Sequence, residues 1–370
     1  MHILITGAQG FIGKNLTHTL TLNKDHTLLL CDKETSEEAL DSFIKQAEFV
    51  IHLAGVNRPK NTAEFTEGNV IFTEELLDKL ARQPRHIPVL LASSTQAALD
   101  NPYGQSKRHA EALVKAYGEK TDSNVYVYRF PNVFGKWSRP NYNSAIATFC
   151  HNIAHDLDIT VNDPNVSLTL VYIDDVIEEM LRVINGKPTL DGDFCKVPIT
   201  YQKTLKEIVD LLYAFKESRQ TRVIPNMSDA FTKKLYSTYT SFLPVDGLGY
   251  DLVKHTDDRG SFTEFVKSMA GGQVSVNISK PGITKGDHWH HTKNEKFFVV
   301  QGTGIIRFRL VDSDEVTEYH VSGAHHQVID IPVGSTHNIE NTGDVDMITL
   351  MWVNEPFDPN HPDTMPLEVK

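Results

Sequence analysis

The segment MHILITGAQGFIGKNL (residues 1–16) decides the fold of the N-terminal half. Its apolar run HILIT (residues 2–6) predicts a buried strand, and the residues from Phe11 onward have the pattern of an amphipathic helix. Glycines between a strand and a helix let the backbone turn tightly and approach a pyrophosphate at the helix N-terminus. We therefore predict a dinucleotide-binding turn formed by Gly7, Gln9, Gly10, Phe11, Ile12 and Gly13.

The rest of the first half repeats this alternation of apolar runs and helical patterns. The apolar runs are residues 27–31, 49–53, 89–92 and 125–129, and the helical patterns include residues 73–80 and 106–117. Such alternation is typical of βαβ units and predicts an α/β, Rossmann-like, doubly wound parallel sheet. A helix-rich stretch, residues 205–234, closes this half.

The character of the sequence changes around SFLPVDGLGYDL (residues 241–252). Helical periodicity ends there, and short β-type runs separated by turn signals predict an all-β barrel or sandwich. These runs are residues 262–266, 273–278, 295–300, 303–310, 328–331 and 346–353. Since 370 residues also exceed what one core usually supports, we predict two domains, residues 1–245 and 246–370.

Composition narrows the classes of partner and location. The net charge is −12, and Lys and Arg are scattered, which argues against a nucleic-acid partner. The three cysteines are far apart, which favours reduced thiols in a cytosolic protein. No apolar run approaches the roughly 18 residues that span a bilayer, and no signal segment is recognisable. We expect a cytoplasmic protein without membrane insertion.

Two adjacent residues bear on which nicotinamide cofactor the turn would take. Asp32 follows the second predicted strand, where an acid would hold a ribose 2′-hydroxyl, as in NADH binding. Lys33 could instead pair with the 2′-phosphate of NADPH. The two residues point to opposite cofactors.

A tyrosine and a lysine lie one helical turn apart after a helix-start signal, Asn101-Pro102. Beside an ammonium such as that of Lys107, the pKa of Tyr103 should fall below its usual value of about 10. The phenol would then pass a proton to a carbonyl oxygen. A hydroxyl should polarise the same carbonyl; Ser94 is favoured, with Ser93 and Thr95 as alternatives.

The GxxGxxG spacing of residues 7–13 resembles the short-chain dehydrogenase/reductase superfamily. Further matches are HLAG (residues 52–55), YGQSK (103–107), RFPNVFG (129–135) and YIDDV (172–176); the last two resemble the extended branch that modifies sugar nucleotides. The resemblance covers residues 1–240 and implies that Leu53, Ala54, Gly55, Tyr103 and Lys107 contact the cofactor. It departs from the branch in one respect, because only eight residues separate Ser94 from Tyr103.

The second half carries a metal-ligand pattern in PGITKGDHWHHTKNEKFFVVQG (residues 281–302). His288 and His290 would point to one face of a strand, Glu295 returns on the next strand, and His337 follows in IPVGSTHNIEN (331–341). Three imidazoles and a carboxylate suit Zn²⁺, with Mn²⁺, Fe²⁺ and Ni²⁺ as alternatives.

This pattern resembles the cupin superfamily over residues 255–355 and implies a double-stranded β-helix, or jelly roll. The first cupin motif is complete, whereas the second lacks its leading glycine, where His326 stands. The residues that match no ligand position are His291, Lys293, His320, His325 and His326.

A reductase joined to a cupin resembles the bifunctional enzymes of bacterial capsular polysaccharide synthesis. The resemblance implies that the cupin epimerises C-3 of UDP-2-acetamido-2,6-dideoxy-L-hexos-4-ulose, a UDP-linked 4-keto-6-deoxy amino sugar. The N-terminal domain would then reduce C-4 with NADPH to UDP-2-acetamido-2,6-dideoxy-L-talose, toward UDP-N-acetyl-L-fucosamine. It also implies one Zn²⁺ per chain and a homodimer. The pairing is chemically sensible, because a C-4 ketone acidifies the C-3 hydrogen and a cation stabilises the resulting oxyanion.

Three other functions are open to the same sequence. The cupin could be only a dimerisation or substrate-binding module beside an active reductase. The chain could be a redox or sugar sensor, although an intact Tyr103 and Lys107 argue against that. An iron-loaded cupin could carry out an oxygen-dependent reaction.

Overall fold

The computed structural model describes residues 1–22, 25–59 and 61–370, which divide into two compact units. The first unit comprises Met1–Leu212 and Lys234–Pro244, and the second comprises Tyr213–Lys233 and Val245–Lys370. The second unit therefore resumes beside the predicted boundary at residue 246, but it also includes a segment that the sequence placed in the N-terminal domain. The functional division into residues 1–245 and 246–370 stays a prediction.

Backbone pairing explains why the segment Tyr213–Lys233 belongs with the second unit. Val223 forms a parallel β-bridge with Lys267, and Lys267 donates its amide proton to the Arg222 carbonyl at 2.8 Å. The guanidinium of Arg222 also pairs with the Glu264 carboxylate at 2.7 Å. These contacts lie outside any helical periodicity, so the sequence pattern did not reveal them.

The first unit has an α/β architecture. Its strands are β1 (His2–Thr6), β2 (Thr27–Cys31), β3 (Phe49–His52), β4 (Val89–Ser94), β5 (Val125–Phe130), β6 (Asn132–Phe134), β7 (Ser167–Tyr172), β8 (Leu190–Asp191), β9 (Phe194–Cys195) and β10 (Tyr201–Thr204). Its helices are α1 (Phe11–Thr21), α2 (Glu37–Gln46), α3 (Ala63–Thr66), α4 (Phe72–Ala81), α5 (Pro102–Thr121), α6 (Ala145–Ala154), α7 (Ile173–Ile184), α8 (Leu205–Thr221), which runs on into the second unit, and α9 (Ala230–Thr240). A π-helical turn (Glu67–Ile71) joins α3 to α4, and a 3₁₀-helix (Thr95–Ala98) follows β4.

The main sheet has the order β2-β1-β3-β4-β5-β9-β8, parallel from β2 through β9. After β2 the chain crosses back to the other side of β1 to form β3, which creates a topological switch point between β1 and β3. Ligands of open α/β sheets bind at the carboxyl ends of strands at such a point. The predicted glycine turn follows β1, and Leu53 follows β3, so both lie at this edge.

Apolar strands and helix faces build the core of the first unit. Ile3, Leu4 and Ile5 of β1 are fully buried, as a central parallel strand covered on both faces requires. Leu4 belongs to a cluster that also includes Leu76 of α4 and Val114 of α5. The predicted doubly wound α/β sheet is confirmed.

Helix α5 begins where the sequence predicts. The side chain of Asn101 accepts the amide proton of Gly104 at 2.8 Å, and Pro102 occupies the first turn, where its missing N–H costs no hydrogen bond. The helix ends at Asp122, which adopts the left-handed conformation at φ 53°. These caps fix the helix that carries Tyr103 and Lys107.

Apart from its helical segment Tyr213–Lys233, the second unit is an all-β cupin fold of antiparallel strands. They are β11 (Lys254–Asp257), β12 (Gly260–Ser268), β13 (Gly272–Ser279), β14 (Thr284–Trp289), β15 (Glu295–Gln301), β16 (Thr303–Leu310), β17 (Thr317–Ser322), β18 (Val328–Ile331), β19 (Ser335–Asn341), β20 (Met347–Val353) and β21 (Met365–Pro366). One sheet has the order β11-β12-β13-β20-β15-β18 and the other β17-β16-β19-β14-β21. A short 3₁₀-helix (Val245–Gly247) precedes them. The predicted all-β jelly roll is confirmed.

The interior of this barrel is apolar in one part and polar in another. Phe297, Val299 and Ile306 belong to a buried apolar cluster. Along β13, by contrast, the buried alternate positions are all polar: Gln273, Ser275, Asn277 and Ser279. Buried polar groups are costly unless they are hydrogen-bonded, and here Gln273 donates to Ser275 at 3.0 Å and Asn277 to Ser279 at 3.1 Å.

A β-bulge in β14 changes which of its side chains face inward. Lys285 pairs with Ile339 of β19 and His288 pairs with His337, while Asp287 is the extra residue between them, at φ 59°. Directly opposite residues in antiparallel strands share a face, so Lys285 and His288 both point to the inner face that Ile339 and His337 occupy.

Two predictions on environment can be compared with the described residues. Cys31, Cys150 and Cys195 are free and buried. Within the described ranges, no helix is both long enough and apolar enough to cross a bilayer.

Candidate functional site

The glycine turn after β1 has the shape that close backbone approach requires. Gly7 has φ 67°, and a Cβ there would lie 2.7 Å from the amide nitrogen of Ala54. A Cβ on Gly13 would lie 2.3 Å from the carbonyl oxygen of Gly7, so only glycine allows the helix to approach the turn this closely. Residues 53 and 54, predicted to support the cofactor, therefore meet the turn directly.

The N-terminus of α1 is open to an anion. Its N-cap is Gly10, which has no side-chain cap, so the first backbone amides of the helix are available to a pyrophosphate. Gln9 is exposed beside it, while Phe11 and Ile12 are half-buried in the first turn. The glycine cradle and the uncapped helix fit a dinucleotide.

Asp32 and Lys33 lie just beyond β2, beside the glycine turn. The Asp32 carboxylate accepts the amide proton of Glu34 at 2.9 Å, which holds it in the loop, and Lys33 is exposed. Cys31 accepts the amide proton of Ala8 at 3.3 Å, which ties the end of β2 to the turn. The choice between NADH and NADPH stays a prediction.

Three hydroxyls leave β4, and the structure separates them. Ser93 is buried and donates its hydroxyl proton to Glu111. Because successive side chains of a strand point to opposite faces, Ser93 and Ser94 lie on different faces of β4. Ser94 lies within hydrogen-bonding reach of Tyr103, and Thr95 is exposed. Of the three candidates, Ser94 is the one that shares the site with the phenol.

The pKa of Tyr103 is shifted upward, contrary to the expectation from the sequence. Burial raises it above its usual value, and the hydrogen bond of Ser94 only partly opposes this. The Phe65 ring, with its centroid 5.5 Å from that of Tyr103, contributes to the desolvation. Tyr103 is therefore a protonated phenol at neutral pH, which suits a proton donor.

Lys107 lies beneath Tyr103 in a buried position. Its Nζ donates to the carbonyl oxygen of Ala92 at 2.8 Å. Burial lowers the pKa of Lys107 to about 8, although the Glu111 carboxylate one turn further along α5 raises it. The ammonium is thus fixed next to β4, and because its pKa is close to neutrality it loses its proton more readily than an exposed lysine does.

The sequence reasoning missed a buried ion pair behind this site. The Arg129 guanidinium forms two hydrogen bonds to the Glu111 carboxylate, at 2.9 and 2.6 Å, and Glu111 also accepts from Ser93. Glu111 is four residues beyond Lys107 on the same helical face, which is the sequence signal that would have revealed it. The pair fixes β4, β5 and α5 around the lysine.

Two further polar residues near the site were also missed. Asn69, in the π-helical turn, accepts the amide proton of Val56 at 2.7 Å and donates to Ser106 at 3.0 Å. A Cβ on Gly55 would lie 2.9 Å from the Asn69 amide oxygen and 3.6 Å from the Lys107 Nζ, so Gly55 leaves room for both. Tyr142 lies close enough to Tyr103 to raise its pKa.

The predicted metal ligands come together in the barrel of the second unit. One ligand atom from each of His288, His290, Glu295 and His337 lies within 4.8 Å of the others. The ring centroids of His288 and His337 are 4.7 Å apart, and Glu295 approaches His337 at 3.0 Å. All four side chains therefore converge on one point.

This group has the chemistry of a cation site. Nε2 of His290 and Nε2 of His337 are buried and face Oε2 of Glu295 at 3.4 and 3.0 Å, and among the described residues these three atoms have no hydrogen-bond partner outside the group. Such atoms are costly unless another ligand takes their lone pairs. Three imidazoles and one carboxylate at this spacing fit Zn²⁺ or another borderline divalent ion.

The protonation states of His288 and Glu295 suit a cation, whereas the hydrogen bond with Glu295 raises the pKa of His290 despite its burial. Burial lowers the pKa of His288 to about 4, and His337 and His290 lower it further, so this imidazole is neutral. Burial alone would raise the pKa of Glu295, but hydrogen bonds from His290 and His337 outweigh it and lower the pKa to about 2. Neutral imidazoles and an ionised carboxylate are the forms that bind metal.

A C-terminal segment orients one of the ligands. The carbonyl oxygen of Asp363 accepts from Nδ1 of His290, which directs Nε2 of that ring toward the cluster. The Asp363 carboxylate accepts the amide protons of His291, Thr292 and Lys293 at 2.7 to 3.1 Å. Asp363 is distant in sequence, so no local motif indicated it.

Two family profiles match the two units. The profile described as "NAD dependent epimerase/dehydratase family" matches residues 3–192. The profile described as "Polysaccharide biosynthesis C-terminal domain" matches residues 255–365, which contain all four converging ligands.

Two similar proteins match the chain over at least 98% of its length, and a third matches only part of it. The UDP-2-acetamido-2,6-beta-L-arabino-hexul-4-ose reductase of Pseudomonas aeruginosa is 42% identical over 364 residues, which is 98% of each chain. The crystal structure of the capsular polysaccharide assembling protein CapF from Staphylococcus aureus is 55% identical, covers 100% of both chains and has a TM-score of 0.94. UDP-glucuronic acid 4-epimerase from Bacillus cereus in complex with NAD is 19% identical, with a TM-score of 0.56 over 65% of this chain and 98% of that one, and shares the fold alone.

Proposed function

The chain belongs to the NAD dependent epimerase/dehydratase family, and from that premise we propose that it is a bifunctional UDP-sugar epimerase and reductase. Its place would be capsular polysaccharide synthesis, toward UDP-N-acetyl-L-fucosamine. One observation carries the proposal: a single chain holds a Tyr103–Lys107–Ser94 site in one unit and a convergent His288–His290–Glu295–His337 cluster in the other. The relatives from P. aeruginosa and S. aureus span both units and support it.

The first unit would reduce the C-4 ketone of the sugar. A bound nicotinamide supplies the hydride. Tyr103 gives its phenolic proton to the C-4 oxygen, and Ser94 donates a hydrogen bond to the same oxygen. The Lys107 ammonium stabilises the phenolate that Tyr103 becomes. The product would be UDP-2-acetamido-2,6-dideoxy-L-talose.

NADPH is the proposed form of the nicotinamide cofactor. Its support is the resemblance to capsular enzymes and the exposed Lys33, which is free to meet a 2′-phosphate. The negative charge of Asp32 would repel a 2′-phosphate and argues against this assignment, although its carboxylate already accepts the amide proton of Glu34. The glycine turn would hold the pyrophosphate of either form.

The second unit would invert C-3 of UDP-2-acetamido-2,6-dideoxy-L-hexos-4-ulose before reduction. His288, His290, Glu295 and His337 would hold one Zn²⁺, which would supply a Lewis acid for negative charge that develops on the sugar. Removal of the C-3 proton is then less costly, and its return to the other face completes the inversion. The reduction that follows removes the ketone and fixes the new stereochemistry.

A homodimer in the cytoplasm completes the proposal. The dimer rests on the resemblance to capsular enzymes. The cytoplasmic location is supported by the three free, buried cysteines, which are typical of a reducing compartment.

NMR of the product formed in D₂O tests both steps together. The 4-keto sugar and NADPH should give a reduced sugar with deuterium at C-3. Tyr103→Phe should abolish NADPH oxidation and spare the wash-out of the C-3 hydrogen into D₂O. Tyr126→Phe is the matched control, because it removes a hydroxyl from the same unit on β5 and should reduce at the wild-type rate.

Two results would contradict the proposal. If Tyr103→Phe abolished hydrogen exchange as well as reduction, the two reactions would not have separate sites. If wild-type enzyme reduced the sugar without any exchange at C-3, the barrel would be a binding or dimerisation module and only the reductase would stand.

A further inference from the structure

Lys285 is an inward-facing amine in the barrel that is not part of the metal cluster. The bulge at Asp287 places Lys285 and His288 on the same face of β14, although they are three positions apart in the sequence. On a regular strand, residues at that spacing point to opposite faces. The bulge therefore has the effect of adding an amine to the face that carries the metal ligands.

The partners of Lys285 are both neutral. Its Nζ donates to the side-chain oxygen of Asn277 at 2.9 Å and to the carbonyl oxygen of Ile278 at 2.8 Å. An ammonium keeps a third proton beyond these two bonds, and a neutral amine keeps a lone pair in the same direction. Proton loss therefore breaks no hydrogen bond, and burial lowers the pKa of Lys285 from its usual value. These are the properties of an acid/base group.

Lys285 lines a cavity that is large enough for a sugar. The cavity has a volume of about 450 Å³, within the range typical of small-molecule sites. His288 also lines it, so the cavity adjoins the metal cluster, and His255, Asp257 and Arg259 form the rest of its charged wall. The Asp257 and Arg259 side chains pair with each other at 2.7 Å, which leaves Lys285 as the wall amine without a salt bridge among the described residues.

A second buried group next to the cavity points to a polar ligand. Thr349 of β20 pairs directly with Asn277, so the two side chains share the inner face. The Thr349 hydroxyl is fully buried and has no hydrogen-bond partner among the described residues. A hydroxyl in that position is costly unless a bound molecule satisfies it.

We propose that Lys285 is a catalytic residue of the barrel, which takes the C-3 proton from the keto sugar bound in this cavity. The inference rests on the proposed epimerase function and names the base for it. The neutral amine forms a new N–H bond as the C-3–H bond breaks, and the electron pair moves into the C-3–C-4 bond, leaving negative charge on the C-4 oxygen. A solvent water then gives a proton to the opposite face of C-3 as the C-4 ketone re-forms, and the ammonium proton neutralises the hydroxide that remains, which restores the neutral amine.

Solvent exchange at C-3 measures this step without NADPH. The UDP-linked 4-keto sugar is incubated in D₂O with the full-length enzyme loaded with Zn²⁺, and loss of the C-3 proton signal is followed by NMR. Lys285→Met keeps the apolar stem and removes the amine. Exchange should slow by about 100-fold or more, the usual contribution of a positioned acid/base. Lys280→Met is the matched control, an exposed lysine shortly before β14 that should exchange at the wild-type rate.

Amine rescue separates chemistry from structure. Lys285→Ala leaves space for a small primary amine, and added methylamine or ethylamine should restore exchange. Zinc content, measured by elemental analysis, should match that of wild type in both variants. Exchange that is lost and that no amine restores would overturn the proposal and make Lys285 a structural residue.

The outcomes also distinguish this proposal from the function on which it rests. If wild-type enzyme shows no exchange, the epimerase function fails and the role of Lys285 fails with it. If wild type exchanges and both Lys285 variants keep the wild-type rate, the epimerase function stands and another residue is the base.

Discussion

Lys107 is a buried lysine whose charge depends on pH near neutrality. Its pKa is lowered to about 8 by burial, so it is charged below that pH and neutral above it. Tyr103 has a raised pKa and stays protonated over the same range. The two groups thus lose their protons at different pH values, and Lys107 loses its proton first.

Reduction should therefore slow as pH rises through about 8, the pKa of Lys107. Above it the amine no longer stabilises the phenolate that forms on Tyr103 when its proton is transferred. The measurement is kcat for NADPH oxidation against pH with the epimerised sugar at saturation. A profile that stays flat until the tyrosine itself ionises would show that the lysine charge is not needed.

The neighbouring hydroxyls of Ser93 and Ser94 should respond differently to removal. Ser94→Ala removes a donor to the ketone oxygen and should lower kcat for reduction by about 100-fold. Ser93→Ala should leave kcat near wild type, because the hydroxyl it removes bonds to Glu111, which keeps both bonds from Arg129. Its effect should be a loss of about 1 kcal/mol in the free energy of unfolding. If instead Ser93→Ala lost activity and Ser94→Ala did not, the assignment would be reversed.

At this scale the sequence predicted residue types better than their environments. Strand alternation places Ser93 and Ser94 on opposite faces, and the contact of Ser93 with Glu111 favours Ser94, whose catalytic role stays a prediction. The upward pKa shift of Tyr103 depends on burial by side chains such as Phe65, from a different element. Desolvation is a sum over distant neighbours, so spacing along one helix does not reveal it.

The loop between β14 and β15 is held by a segment far along the chain. Asp363 binds three backbone amides of this loop with its carboxylate and Nδ1 of His290 with its carbonyl oxygen. The position of His290, a predicted metal ligand, thus depends on the segment that leads into β21, which itself pairs with His288 and Trp289.

Asp363→Ala should weaken metal binding by about 10- to 100-fold, the usual effect of losing a group that orients a ligand. The main-chain carbonyl remains, but the loop loses the bonds that hold it against this carbonyl. Competition of the enzyme with a zinc chelator measures the affinity. Asp358→Ala is the control, since its exposed carboxylate accepts from Asn360 and His361 and does not contact the loop between β14 and β15 in the described ranges. Equal affinities for the two variants would contradict the role of Asp363.

Most strands and helices were predictable, whereas their irregularities were not. The apolar runs predicted β1 to β5 and most barrel strands within a few residues. The bulge at Asp287 leaves no mark on the pattern, because one extra residue changes the face of a side chain without changing composition. Lys285 was therefore not recognised as an inward-facing residue.

The proposed reductase and epimerase sites lie in different units, so each can be inactivated in a separate variant and the two variants can be mixed. Tyr103→Phe keeps the cluster of the second unit, and His290→Ala keeps the Tyr103 site of the first. Neither variant should convert the keto sugar to the reduced epimer alone. A mixture of the two should do so, because the epimerised sugar made by one protein can be reduced by the other.

The readout is the talose product, followed by NMR with NADPH present. Two preparations of Tyr103→Phe mixed at the same total concentration serve as the control. A mixture no more active than its parts would mean that the epimerised sugar is not released to solution.

The path of the chain limits how the molecule can be taken apart. The chain leaves the first unit at Leu212, contributes Tyr213–Lys233 to the second, returns at Lys234 and leaves again at Pro244. A single cut after Pro244 would separate Arg222 from Glu264, with which it pairs. It would also remove Val223, which forms a β-bridge with Lys267 of β12. Recombination with one crossover after Pro244 would therefore produce a barrel that lacks the contacts of Tyr213–Lys233. Transfer of the complete second unit between proteins requires that both of its segments be transferred.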